Sequence, residues 1–228
     1  MTTLDIPVIE TSRLILRVPT LEDFGAWAAF CADTEATRFI GGVTDVHAAW
    51  RGMAAAAGGW TLQGFGVWSA IEKGSGRWVG RIGYVMPWGW PGTEVGYCIA
   101  RDAWGAGYAT EAARAAVDFA FDHLGWSEVI HTIRHDNARS QAVALRLGAR
   151  PAGAVEMPPP LERCEKWVQT RSEWAARRSG AAVGRPSAPN RQASPESQSA
   201  VGNSGHTGRA CFFDERNTRT TDPAGGHS

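Results

Sequence analysis

The chain has 228 residues, 43% of them hydrophobic, with 23 basic residues matched by 23 acidic ones. That suffices for one well-cored domain and a tail, and the balanced charge gives no electrostatic footprint for nucleic acid. Cys31, Cys98, Cys164 and Cys211 show neither metal-ligand spacing nor a disulfide framework. No stretch approaches the ~20 apolar residues of a membrane span, so a reducing cytoplasm is the expected setting.

In chain order, residues 14–18 read as a strand and 21–32 as a helix with Glu22 and Asp23 in its first turn. An alanine-rich helix is predicted over 45–57, stopped by Gly58-Gly59. Residues 66–72 and 78–86 read as a hairpin across Lys73-Gly74-Ser75-Gly76. Trp88 and Trp90 fall in a Pro/Gly loop, either as packing or at a substrate mouth. The next strand is Glu94-Val95-Gly96-Tyr97-Cys98-Ile99. Alternation puts Val95, Tyr97 and Ile99 on one face, and Glu94, Gly96, Cys98 and Ala100 on the other. The second face has one carboxylate and otherwise small side chains, a surface that lets a slender ligand lie close to the backbone.

The most informative segment follows, Trp104-Gly105-Ala106-Gly107-Tyr108-Ala109-Thr110-Glu111. A Gly-rich turn that opens a helix after a strand leaves backbone N–H groups unpaired, and the helix dipole adds positive charge there. That is an anion site suited to phosphate; an ordinary tight turn is the plain alternative. The dinucleotide fingerprint and the P-loop are both excluded, the first for want of a third glycine and the second for want of Gly-Lys-Ser/Thr. The helix has Ala112, Ala113, Ala116, Val117, Ala120, Phe121 and Leu124 on one stripe, and Gly125 stops it.

Residues 128–134 read as a strand, so His131 and His135 at its end share no helical face for a metal. Asn137-Ala138-Arg139-Ser140 begins another helix, ended at Gly148, with Asn137 able to cap it. Final strands are predicted near 153–156 and 163–170, and a short helix at 172–178. From 179 to 228, Ser, Gly, Pro, Asn, Gln, Arg and Thr dominate and periodicity vanishes, the signature of a disordered tail.

The order Glu-Val-Gly-Tyr at 94–97, Trp-Gly-Ala-Gly-Tyr-Ala-Thr-Glu-Ala at 104–112, Asn-Ala-Arg-Ser at 137–140 and Leu-Gly-Ala at 147–149 resembles the GNAT superfamily of acetyl-CoA-dependent N-acetyltransferases. Together with Glu-Thr-Ser-Arg-Leu-Ile-Leu-Arg at 10–17 and Trp-Val-Gln-Thr-Arg-Ser-Glu-Trp at 167–174, it is similar to the ribosomal-protein N-terminal acetyltransferase branch. The resemblance implies an α/β fold over 9–178, a mixed, mostly antiparallel sheet of about six to seven strands flanked by helices. The family's frame of Gln/Arg, two residues, Gly, one residue, Gly/Ala falls on Trp104, Gly107 and Ala109, with Trp in the first place.

By that resemblance, backbone amides of Gly105, Ala106, Gly107, Tyr108, Ala109 and Thr110 hold the CoA pyrophosphate, beside Trp104. Cys98 and Ile99 pair with pantetheine by edge augmentation, and Asn137 and Ser140 face pantetheine or the thioester. Glu94 is the general base, since an amine must be neutral to attack a thioester; a solvated strand-start residue is the plain alternative. The tyrosine many relatives use as acid falls on Ala144 here, which leaves Ser140 or water. No metal, nucleic acid or membrane is expected, the acceptor is a small-molecule amine or a protein N-terminus, and a homodimer is conceivable. Two other readings stand beside direct acetyl transfer: a degenerate CoA-binding sensor, or a module for another phosphorylated ligand.

Overall fold

A computed structural model describes residues 6–159, 161 and 163–180. The N-terminal half contributes β1 (Ile9–Glu10), β2 (Leu14–Arg17), a 3-10 turn (Leu21–Asp23) running into α1 (Phe24–Ala32), α2 (Thr34–Thr37), α3 (Val46–Gln63), β3 (Val67–Glu72) and β4 (Trp78–Val85). The other half adds β5 (Glu94–Ile99), α4 (Tyr108–Asp122), β6 (Glu128–Ile133), α5 (Ala138–Leu147), β7 (Arg150–Val155), β8 (Cys164–Thr170) and α6 (Arg171–Arg178). The sheet has eight strands in the order β1-β2-β3-β4-β5-β6-β8-β7. Every pairing is antiparallel except β5 with β6.

The expected six to seven strands become eight because β1, at two residues, is too short to show an alternation. The predicted tail lies outside the described residues beyond Gly180.

The period-2 pattern distributes side chains to two cores. Leu14, Leu16, Trp68, Ala70, Ile82 and Val95 pack under the alanine stripe of α4. On the opposite face, Ile71 and Trp78 pack with Trp27 and Phe30 of α1 and with Ala49 and Met53 of α3. Alanine at 112, 113, 116 and 120, each fully buried, brings α4 close to the sheet.

The helix expected over 21–32 opens as the 3-10 turn at Leu21–Asp23, the short α2 is not among the expected elements, and the end of α3 lies well beyond its expected place. α3 runs through Gly58-Gly59 to Gln63, and Gly64 caps it at φ +75°. The cause is Trp60, 2% exposed, whose ring lies 4.7 Å from that of Trp68. Burying ~200 Å² of indole is worth roughly 5 kcal/mol, against about 1 kcal/mol for each helical glycine, so the tertiary contact wins.

Candidate active site

The parallel pair β5/β6 matches at a single position, Glu94 opposite Ile130. Beyond it the strands part. Ala100 N–H bonds Val79 O across β4, and Ile130 N–H bonds Thr93 O. Alternation therefore turns the backbone groups of Val95, Tyr97 and Ile99 toward the gap. The Val95 carbonyl is taken by His131 Nδ1 at 2.7 Å and the Ile99 carbonyl by Trp104 Nε1 at 2.8 Å. The Tyr97 backbone groups and the Ile99 N–H form the open edge between them. The expected augmentation at Cys98 and Ile99 narrows accordingly, because Cys98 turns its backbone groups to β4 and the Ile99 carbonyl is occupied.

Glu94 sits at the vertex of the opening. It is 7% exposed. Its Oε2 accepts from Trp90 Nε1 at 2.6 Å and Thr132 Oγ1 at 2.8 Å, and its Oε1 from Thr132 N–H at 3.2 Å. Desolvation pushes its pKa up to about 7, while the bonds from Thr132 and Trp90 pull the other way. The carboxylate is thus poised where a general base is effective at neutral pH. Nearby His131 is held near 4 by burial, and burial also raises Tyr97, whose hydroxyl donates to the Ser140 carbonyl at 3.0 Å. Both are neutral at pH 7.

At the other end of the gap, Gly105 (φ +80°) and Gly107 (φ +85°) shape the turn into α4. Gly107 is the N-cap and no side chain caps the helix, so its first N–H groups stay open. The turn is clamped from behind. Glu111 accepts from Thr11 Oγ1 (2.6 Å), Ser12 Oγ (2.9 Å) and Arg13 N–H (2.8 Å), and pairs with the Arg13 guanidinium at 2.6 Å. Arg13 also donates to the Ala106 carbonyl at 2.8 Å. These bonds hold the Glu111 carboxyl at about 2 against the opposing effect of desolvation. Trp104 carries the Arg139 guanidinium 4.2 Å above its ring, and so ties the turn to α5.

A cavity of about 1950 Å³ runs from Glu94 to this turn. A pocket for one small ligand is typically 300–1,000 Å³, so there is room for two reactants. Glu94, Cys98, Ile99, Trp104, Gly105, Gly107, Tyr108, Ala109, Thr110, Asn137 and Ser140 all line it. Ala106 is the exception among the expected residues; its carbonyl is turned to Arg13. Asn137 does cap α5, accepting from Ser140 N–H at 3.2 Å, and both residues face the cavity. Ala144 is fully buried among Ile133, Ala149 and Trp167. Trp90 lines the cavity, while Trp88 is wholly exposed.

Sequence reasoning missed Thr132, Arg13 and the Trp90 bond. Nothing local marks Thr132, which lies 38 residues from Glu94. Arg13 reaches the turn from 93 residues away. Among the described residues, no cluster of three or more His, Cys, Asp or Glu could hold a metal, and no helix is long and apolar enough to cross a membrane.

A splayed parallel strand pair, an open strand edge and a glycine turn opening a helix together line one long cleft. Residues 13–150 match the acetyltransferase (GNAT) domain family, and the chain belongs to it. It is 38% identical over 90 residues to the uncharacterized protein YkkB of Bacillus subtilis, covering 38% of this chain and 52% of that one, about half its length. It is 27% identical over 152 residues to the uncharacterized N-acetyltransferase YoaA of Bacillus subtilis, covering 65% and 86%. Among solved structures, an acetyltransferase from Agrobacterium tumefaciens is 28% identical at a TM-score of 0.67, covering 73% of this chain and 96% of that one. The ribosomal-protein-S5-alanine acetyltransferase from Vibrio fischeri shares the fold at 14% identity and a TM-score of 0.59, covering 74% and 99%.

Proposed function

We propose that this chain moves the acetyl group of acetyl-CoA to a primary amine, on a protein N-terminus or a small molecule, by direct transfer with Glu94 as general base. The observation that carries this reading is a buried carboxylate, poised near neutrality, at the vertex of a cavity whose far end is an open helix N-terminus. Acetyl-CoA supplies the activated acetyl group as a thioester. The chain's part is to place and deprotonate.

N–H groups at the start of α4 bind the pyrophosphate, helped by the dipole. The open Tyr97–Ile99 edge pairs with the amide-bearing arm, and a backbone N–H there faces the carbonyl oxygen, where negative charge develops. Glu94 takes the ammonium proton of the acceptor, directly or through one water. Ser140 lines the cavity and its hydroxyl bonds none of the described residues, which leaves it to donate toward the leaving sulfur. Cys98 is not needed as a nucleophile, because direct transfer passes through no acyl-enzyme.

Ala144, buried away from the cavity, supplies no acid, and this favours the sensor reading as the alternative. Thiol release from acetyl-CoA across a panel of amines and N-terminal peptides decides between them. Acceptor-dependent turnover that Glu94→Gln abolishes supports the transferase. Stabilisation by acetyl-CoA with no turnover on any amine supports the sensor, and no stabilisation at all overturns both.

A further inference from the structure

Glu94 is held by two elements of different character. Thr132 belongs to β6 and gives it two bonds. Trp90 lies in the segment joining β4 to β5 and gives one, the shortest of the three at 2.6 Å. That segment is anchored along its length. Gln63 Nε2 holds the Met86 carbonyl at 3.1 Å, and Trp90 N–H closes a turn on the Pro87 carbonyl at 3.0 Å. Gly92 sits against Ile130, where an added Cβ would lie 3.1 Å from its Cδ1. Thr93 Oγ1 donates to the Glu128 carbonyl at 2.7 Å. Two bonds to other elements, at Met86 and Thr93, and one turn bond within the segment bring one indole N–H to one carboxylate oxygen.

We propose that Trp90 is a positioning residue for Glu94: its indole N–H fixes the Oε2 oxygen at the cavity vertex and keeps the carboxylate ionised inside an apolar wall. The proposal rests on the reading of Glu94 as base, and it assigns to the tryptophan the part that solvent plays for an exposed carboxylate. A buried carboxylate without donors stays protonated and cannot accept a proton. The other titratable groups around it are already engaged. Tyr97 on β5 is bonded to Ser140, His131 on β6 to Val95, and Arg134 at the end of β6 pairs with Asp136 at 3.1 Å. None of them is a bond to the Glu94 carboxylate. Thr132, through its hydroxyl and its backbone N–H, opposes the desolvation most, and Trp90 adds the third bond.

The test is a titration of the unliganded full chain with ¹³C-labelled glutamate carboxyls, in which Glu94→Gln identifies the Glu94 signal by its loss. Trp90→Phe keeps the ring and removes the donor. Its Glu94 midpoint should rise by about half a unit to one unit, the shift that losing one ordinary hydrogen bond corresponds to. The acid limb of kcat/KM should move up with it and turnover should recover at high pH, whereas a merely structural loss lowers turnover at every pH. In the wild-type chain the Trp90 indole N–H signal should titrate with the Glu94 midpoint, a readout that needs no variant to fold. An unmoved Glu94 midpoint in Trp90→Phe, or an indole signal flat from pH 5 to 9, overturns the proposal. If Glu94→Gln instead keeps full turnover, the base reading fails while these titrations still decide what Trp90 does.

Discussion

The glycine turn and the Glu94 vertex stand at opposite ends of one cavity and are built in opposite ways. The turn is contiguous: Gly105, Gly107 and the first residues of α4 carry it, and two positive-φ glycines set its shape. The vertex joins Glu94 of β5 to Thr132 of β6 and Trp90 of a loop. The turn offers backbone donors whose character does not change with burial. The vertex offers a charge whose state depends wholly on what surrounds it. On the proposed function, the turn is the half that binds and the vertex the half whose chemistry depends on its surroundings.

The largest effect should come from the vertex. Glu94→Gln keeps the shape and removes the basicity, so turnover should fall roughly 10²–10⁴-fold with acetyl-CoA affinity nearly unchanged, read by thiol release and calorimetry. In the wild type, a base must be deprotonated to act and its pKa is raised to about 7. Activity should therefore rise with pH through an apparent midpoint near that value, and the variant should lack this limb. Equal losses of affinity and turnover would erase the distinction between the two halves.

Gly107→Val attacks the turn. Valine at φ +85° carries a strain of roughly 1–3 kcal/mol; a turn that relaxes out of its binding conformation to relieve it should lose about five- to 150-fold in acetyl-CoA affinity, read by calorimetry. Unchanged affinity would show that the turn does not hold the pyrophosphate. Gly107 also lies where an added Cβ would come within 3.4 Å of the Arg13 guanidinium, so the substitution presses on the clamp too.

Glu111→Ala tests that clamp, the one long-range part of the turn. Losing charge-assisted bonds to Thr11, Ser12 and Arg13 should cost about 1–3 kcal/mol of stability, measured by urea unfolding near neutral pH. The folded carboxyl is held near 2, below its ordinary 4.5, so its stabilising contribution is present above about 4.5 and is lost as pH falls toward 2. The gap between wild type and variant should close over that window. A gap independent of pH would mean the ionised carboxylate is not what clamps the turn.

The smallest effect is expected of the tail. A chain ending at Gly180 should melt within a degree or so of the full chain and keep its turnover. One ending at Thr170 should not, because Trp174 of α6 is 2% exposed and bonds Asp118 of α4 at 2.8 Å, with Arg178 paired to Asp118 and Asp122. A large loss on removing only residues beyond Gly180 would make the tail part of the domain.

Much of this was legible in residue order. The α4 stripe, the alternation of β5, the capping Asn137 and the glycine turn all follow from period, propensity and cap chemistry, which act over a few residues. The motifs at 94–97, 104–112 and 137–140 identified the family that residues 13–150 match. Where local rules failed, a tertiary contact had overridden them, as when Trp60 on Trp68 of the following strand carried α3 past Gly58-Gly59.

The sequence by itself determined most of the elements, the glycine turn that opens α4 and the family, because glycine conformation, helix period and motif spacing are properties of neighbouring residues. Only the tertiary structure decided that β5 and β6 part after a single matched position, that Arg13 and Glu111 clamp the turn from the far side of the chain, and that Glu94 is buried under Trp90 and Thr132. Those are matters of solvent exclusion and of contacts, most of them between residues dozens of positions apart, and a carboxylate's proton affinity is set by that packing rather than by sequence order alone.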